Sequence, residues 1–195
     1  MLCLFHLYMA EIIQSASLCP IRSTEQGIEV LLIRRAFWNY EKHRPMRSPG
    51  EWVFAGGAYE EGDKDLVETA VREFREELKY GGTVDNTRSL RSGYQDSHGK
   101  RYFVEFYAAS IDSDYSFTLT EEGEVIAVQW KSPVDALLLI RSKEFTREQL
   151  ETFKQRGLAD SKYGIYAVTS RQFPVQNVQT LELIQSMPEL MELYK

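Results

Sequence analysis

A chain of 195 residues with 43% apolar and 12% aromatic side chains can bury a core of its own, which excludes an intrinsically disordered protein. Its formal net charge of −6, with no basic tract, excludes a broad electrostatic surface for nucleic acid and leaves phosphates to be bound locally. The two cysteines, Cys3 and Cys19, belong to no Cys-x-x-Cys or Cys/His cluster, so they read as reduced thiols in a cytoplasmic protein and not as a zinc site.

The opening MLCLFHLYMA is apolar but too short to span a bilayer, and it lacks the basic residue and cleavage site of a secretory signal. Residues 1–10 are expected to be disordered or a mis-assigned start, with Met9 as the alternative first residue. RSTEQG reads as a turn into GIEVLLIRRA (Gly27–Ala36), a buried strand rich in Leu and β-branched residues. Phe37–Gly50, with two prolines and mixed polarity, reads as a loop. EWVFAGG follows as a short strand ending on glycines.

Leu66 to Lys79 is a helix, because Leu66, Val67, Ala70, Val71, Phe74 and Leu78 recur at spacings of three and four. Asp63 or Asp65 caps it, and YGGT ends it. RSLRSGYQ, RYFVEFYAAS and EVIAVQWKS are strands, with DSHGK as a hairpin turn between the first two. Ser132 and Pro133 open another helix in the N-cap and N1 positions. TREQLETFKQRG, capped by Thr146, and the C-terminal NVQTLELIQSMPELMELYK are helical in pattern. Strands with one helix among them, then helices, indicate an α+β fold with a mixed sheet and not alternating βαβ units. One domain is expected over residues 1–195, with the helices of residues 146–195 packed on it.

The chemistry concentrates in REFREE (Arg72–Glu77). Glu73, Glu76 and Glu77 stand at i, i+3 and i+4, which puts them on one helix face with their carboxylates converging. That crowding is unfavourable without a counter-charge. Mg²⁺, with Mn²⁺ as a substitute, relieves it through oxygen ligands while keeping sites for water and phosphate. Gly56-Gly57, upstream, permits close backbone approach, so the Gly56 carbonyl is a further candidate ligand. Arg72 supplies a counter-charge beside the cluster.

This stretch resembles the Nudix box, in which a glycine precedes five residues, an acid, seven residues and then R-E-U-x-E-E-x-G-U, with U a bulky apolar residue. Gly57 is followed by Ala58–Gly62 and then Asp63, where most members have Glu. Eight residues separate Asp63 from Arg72, and Arg72 to Leu78 then fall into register. Lys79 stands where the box has its last glycine, and Tyr80 where it has its last apolar residue. The resemblance implies a Nudix α/β/α sandwich with a mixed central sheet. It also implies a Mg²⁺-dependent hydrolase of nucleoside diphosphates linked to another moiety, X. Glu73, Glu76 and Glu77 would hold metal, with Glu76, Glu77 and Arg72 in the catalytic machinery. The general base would be a box glutamate or one on a later loop. Glu121, Glu122 and Glu124 are the later-loop candidates, and Glu122 is the one carried forward.

For X, the longer box with Asp63, together with LLIRRA and RSPGEWVFAGG upstream, is similar to the coenzyme A pyrophosphatase branch. Ala55 stands where that branch has proline, and the spacing from Arg47 to Gly50 is one residue shorter. ADP-ribose, nucleotide sugars and dinucleotides are the alternatives, as is a nucleotide-binding sensor without catalysis. Arg35 and Arg47 are candidate phosphate contacts, and Trp38 and Tyr40 are candidate stacking residues. Phe37 reads as core. The expected partner is a small-molecule nucleotide, with no membrane or nucleic acid, and a homodimer is left open.

Overall fold

A computed structural model describes residues 12–46, 49–97, 100–112, 114–120, 122–142, 155 and 175–194. Arg47, Glu121, residues 1–10 and nearly all of the expected helix at residues 146–157 lie outside these described residues.

Nine strands and four helices occur among the described residues. The strands are β1 (Ile12–Thr24), β2 (Gly27–Arg35), β3 (Trp38–Asn39), β4 (Arg44–Pro45), β5 (Trp52–Val53), β6 (Ala55–Ala58), β7 (Val84–Ser97), β8 (Lys100–Ile111) and β9 (Val125–Lys131). The helices are α1 (Leu66–Leu78), α2 (Pro133–Ser142), α3 (Val175–Gln185) and α4 (Leu190–Leu193). A 7-stranded sheet runs β5-β2-β1-β8-β7, with β6 also paired to β1 and β9 to β2. β1 and β8 are parallel and the other pairings are antiparallel, so the sheet is mixed.

β2 shows why its sequence is a continuous apolar run: both faces of the sheet are covered. Val30 and Leu32 pack into one core with Ala136 and Ile140 of α2 and Leu181 and Ile184 of α3. Leu31 and Ile33 pack into a second core with Ala70, Phe74 and Leu78 of α1. Helices therefore cover both faces, giving the α/β/α sandwich. Phe74 is fully buried, which contributes about 2–3 kcal/mol relative to exposure. Tyr194 is tied to β1 and to β7: Ser23 N–H donates to Tyr194 O at 2.9 Å, and Tyr194 Oη donates to Asn86 O at 3.0 Å.

Three details differ from the sequence expectation. β1, a central strand, was not expected at all. Phe37–Gly50 is not an unbroken loop, because β3 and β4 pair in it, Asn39 opposite Arg44. The helix does not end at the Gly81-Gly82 turn: Lys79 is itself the left-handed cap, at φ 52° and ψ 37°. The adjoining Tyr80 N–H closes on Arg75 O at 3.0 Å. A lysine holds the conformation that glycine adopts without cost.

The strand EWVFAGG is broken at Phe54, where the chain changes partners. β5 pairs with β2, and β6 pairs with β1. Phe54 N–H, left without a ladder partner by the switch, donates to Asn177 Oδ1 at 2.8 Å. That switch carries Gly56 and Gly57 to the face of α1.

Candidate functional site

α1 begins at Asp65, whose carboxylate accepts Glu68 N–H at 2.9 Å, while Glu68 reaches back to Lys64 N–H at 2.6 Å. This arrangement resembles a capping box. Asp63, the other capping candidate, has a different role. Arg72 donates to its two oxygens from Nε at 2.9 Å and Nη2 at 3.1 Å, and Thr69 Oγ1 and Glu60 N–H also donate to it. The Arg72 guanidinium holds the buried Asp63 carboxyl well below the usual carboxylate range. Arg72 also donates to Ala58 O, Glu73 Oε1 and Glu76 Oε2, at 3.0, 3.0 and 3.1 Å. One side chain thus fixes the glycine-rich loop, the start of the helix and two of the three glutamates.

The three glutamates do not converge on one point, as the helical spacing led us to expect. Glu76 is turned to the outer side of Arg72, its side chain 60% exposed. Glu73 lies against Gly57, and a Cβ on Gly57 would collide with its carboxylate. A Cβ on Gly56 would collide with Ala16 O and Ser17 of β1. The double glycine therefore lets a strand pass closely between β1 and a carboxylate. Glu77 turns inward, its side chain 6% exposed, accepting Gly56 N–H at 3.2 Å. Arg35 Nη1 stands 3.5 Å from its Oε1, and the buried Arg35 Nε has no hydrogen-bond partner. Burial pushes the Glu77 carboxyl up to about 7 against the pull of Arg35, and Glu73 and Glu124 add to the rise. Burial also raises Glu73, opposed by Arg72.

Of the described later-loop glutamates Glu122 and Glu124, it is Glu124 whose charge adds to the rise at Glu77. Asn39 Nδ2 donates to Glu124 Oε1 at 2.6 Å, and Ala36 N–H to Glu124 O at 2.7 Å. Glu122 is exposed and lines the same cavity further out. The sequence reading missed Asn39. The available signal was a polar residue between two aromatics in a stretch read as loop, and its burial was not visible.

Three cavities meet here. The first, about 470 Å³, is lined by Glu73, Glu76, Glu77, Glu122 and Glu124, with Tyr40, Lys42 and Lys79. The second, about 320 Å³, shares Glu73, Glu77 and Glu124 and adds Arg35, Arg44, Gly56 and Gly57. The third, about 300 Å³, shares Arg35 and the two glycines and is lined by Phe54, Phe106, Tyr102, Gln95 and Asn177. Arg35 and Tyr40 therefore line this groove. Trp38 is half-buried and borders none of the three cavities, and Phe37 is buried, as expected of a core residue. Among the described residues no three acidic, His or Cys side chains stand ready-made as a metal cage. Nor, among them, is any helix long and apolar enough to cross a membrane.

A family model described as NUDIX domain matches residues 13–153. No curated protein matches the chain. Among solved structures the chain is similar to a NUDIX hydrolase from Alicyclobacillus acidocaldarius, at 21% identity over 83% of this chain and 97% of that one, with a TM-score of 0.55. It is similar to the E. coli ORF135 protein, at 20% identity over 91% of each chain and a TM-score of 0.53. It is also similar to the NUDIX domain of Shewanella oneidensis NrtR in complex with ADP ribose, at 18% identity over 77% and 90%, with a TM-score of 0.50. At these identities the likeness to solved structures is one of fold. The family model covers most of the chain, including the loop, helix and strands that build the groove, and so the chain belongs to the NUDIX domain family.

Proposed function

We propose that this NUDIX hydrolase is a Mg²⁺-dependent pyrophosphohydrolase of a nucleoside diphosphate linked to a second moiety. The observation that carries the reading is Glu77. It is a buried carboxylate beside Glu73 and Glu124 that lines both polar cavities and accepts the N–H of Gly56, a residue that also lines the aromatic one. Its donor surroundings fit a hard divalent cation. The ligands on offer are carboxylate oxygens, and burial beside two other acids disfavours the charge on Glu77 until a cation offsets it. Glu73, Glu76 and Glu77 would hold the ion, with the Gly56 carbonyl as a further candidate, and Mn²⁺ can take its place. When bound, the cation supplies charge neutralisation of the diphosphate and acidifies a water.

The chain's own residues do the rest. Arg72 keeps Glu73 oriented by a 3.0 Å hydrogen bond while tied to Asp63. Arg35, which lines the second and third cavities, would donate to a phosphate oxygen, with Lys42 and Arg44 lining the second cavity beside it. Phe54, Phe106 and Tyr102 offer apolar and aromatic surface for a nucleobase, with the amides of Gln95 and Asn177 at its rim. Glu124, oriented by Asn39, is better placed than exposed Glu122 to accept the proton of the attacking water. ADP-ribose, nucleotide sugars, dinucleotides and coenzyme A all belong to the substrate class. The coenzyme A reading rests on sequence pattern alone, the longer box with Asp63 and the upstream LLIRRA and RSPGEWVFAGG.

The test is turnover of those compounds with Mg²⁺ or Mn²⁺ by the wild type, Glu77→Gln, Glu124→Gln and Glu122→Gln. Loss in the first two variants, with Glu122→Gln much less affected, is expected. No turnover of any compound, or Glu77→Gln equal to wild type, overturns the reading. Coenzyme A cleaved no faster than the others removes it as the preferred substrate.

A further inference from the structure

The strained residue Lys79 lies within the acidic cavity. It holds φ 52° at the position where the Nudix box resemblance places glycine, and its side chain lines the 470 Å³ cavity. Nothing in the helix exit demands a lysine, since of Lys79 the exit uses only backbone groups, its N–H on Arg75 O and its carbonyl on Tyr115 Oη. An unfavourable backbone retained at a cavity wall points to use of the side chain. Lys42, in the turn between β3 and β4, lines the same cavity. Among the described residues neither ammonium group is in an ion pair, although carboxylates surround them. The carboxylates on α1 and Glu124 have other partners: Arg72 holds Glu73 and Glu76, Gly56 N–H and Arg35 hold Glu77, and Asn39 holds Glu124.

Position gives the direction. Lys79 lines the first cavity alone and Lys42 lines the first and the second, both on the side of the acids, whereas the aromatic cavity adjoins Arg35 and the two glycines. The geometry points to a substrate with a further phosphate beyond the diphosphate, on the side away from the nucleobase, held by Lys79 and Lys42. This rests on the pyrophosphohydrolase reading and deepens it, naming nucleoside polyphosphates and phosphorylated X groups as the favoured class. Thr118 and Thr120, which line the same wall, add hydroxyl groups for its oxygens.

The inference is tested by calorimetry with Mg²⁺ and two ligands that differ by one phosphate and carry no cleavable phosphoanhydride, α,β-methylene-ADP and α,β:β,γ-bis(methylene)-ATP. The wild type is expected to bind the longer ligand about tenfold more tightly, the range of one charge-assisted hydrogen bond. Lys79→Met and Lys42→Met should each remove several-fold of that preference, and Lys79→Arg should keep it. Lys79→Gly should also lose the preference while melting a few degrees higher, because it relieves the left-handed strain. That combination separates a ligand contact from a structural role. Equal binding of the two ligands by the wild type, or an undiminished preference in Lys79→Gly, overturns the inference. Because binding is read without turnover, failure here is distinct from failure of the hydrolase reading, which shows as an inactive wild type.

Discussion

Glu77 makes the metal-free protein pH-sensitive in a direction opposite to that of most carboxylates. Its ordinary value is 4.5 and its folded-state value about 7. Below 4.5 the folded and unfolded states are both protonated, and Glu77 costs nothing. Between 4.5 and about 7 the unfolded chain gives up a proton that the folded chain keeps, so stability falls as pH rises. Above about 7 both states are ionised and the penalty is complete. At about 1.4 kcal/mol for each pH unit of that interval, the full penalty is about 3 kcal/mol. In a chain of this size that corresponds to about 6–12 °C in melting temperature. Glu77→Gln removes the charge and keeps an oxygen to accept Gly56 N–H. Thermal melts in chelator at pH 5 and pH 8.5 are the assay. The variant should melt several degrees above the wild type at pH 8.5, with the gap closing at pH 5. Excess Mg²⁺ should then raise the wild type and leave the variant unmoved, since binding to the folded state alone adds stability. A gap of equal size at both pH values would refute the assignment of the penalty to Glu77.

Two other perturbations follow from the geometry. Gly57→Ala places a methyl group on the Glu73 carboxylate and should lower kcat by about 100-fold with the nucleotide panel, the range for a displaced catalytic group. Its far-ultraviolet circular dichroism should stay that of the wild type. Asp63, held low by Arg72, contributes stability that is present above its ordinary value and lost as pH falls. Asp63→Asn should therefore unfold more readily at neutral pH and show a weaker acid transition, read by tryptophan fluorescence.

The sequence made some of this legible through periodicity and some of it not at all. α1 was visible because Ala70, Phe74 and Leu78 repeat at helical spacing, and β2 because a strand covered on both faces is apolar throughout. The Nudix box was visible because its residues are close in the chain. β1 was not. Its centre, Ser15 to Pro20, has Leu18 as its one large apolar side chain, among small residues and a proline, and β6 passes against it with Gly56 and Gly57. The alternation that marks a strand is thereby erased. The Asn39–Glu124 pair joins residues 85 apart, and no local pattern reports such a contact. The choice between Glu122 and Glu124 depended on it. Lys79 was misread because glycines two residues on drew the turn away from it.

The pairing of β1 has a consequence for how the chain comes to be folded. Its register with β8 joins Ile12 to Arg101 and Pro20 to Ala109, so this edge stays open until residues about 90 positions further along have been made. Closing so long a loop is entropically costly and slow, while the β7–β8 hairpin and α1 form from neighbours in the chain. Until then Ala16, Leu18 and Cys19, fully buried at the end, sit on a strand with one edge exposed. An open edge of that kind invites pairing with another chain. The strand that seats the glycines opposite Glu73 is thus also an edge through which this protein is open to aggregation during synthesis.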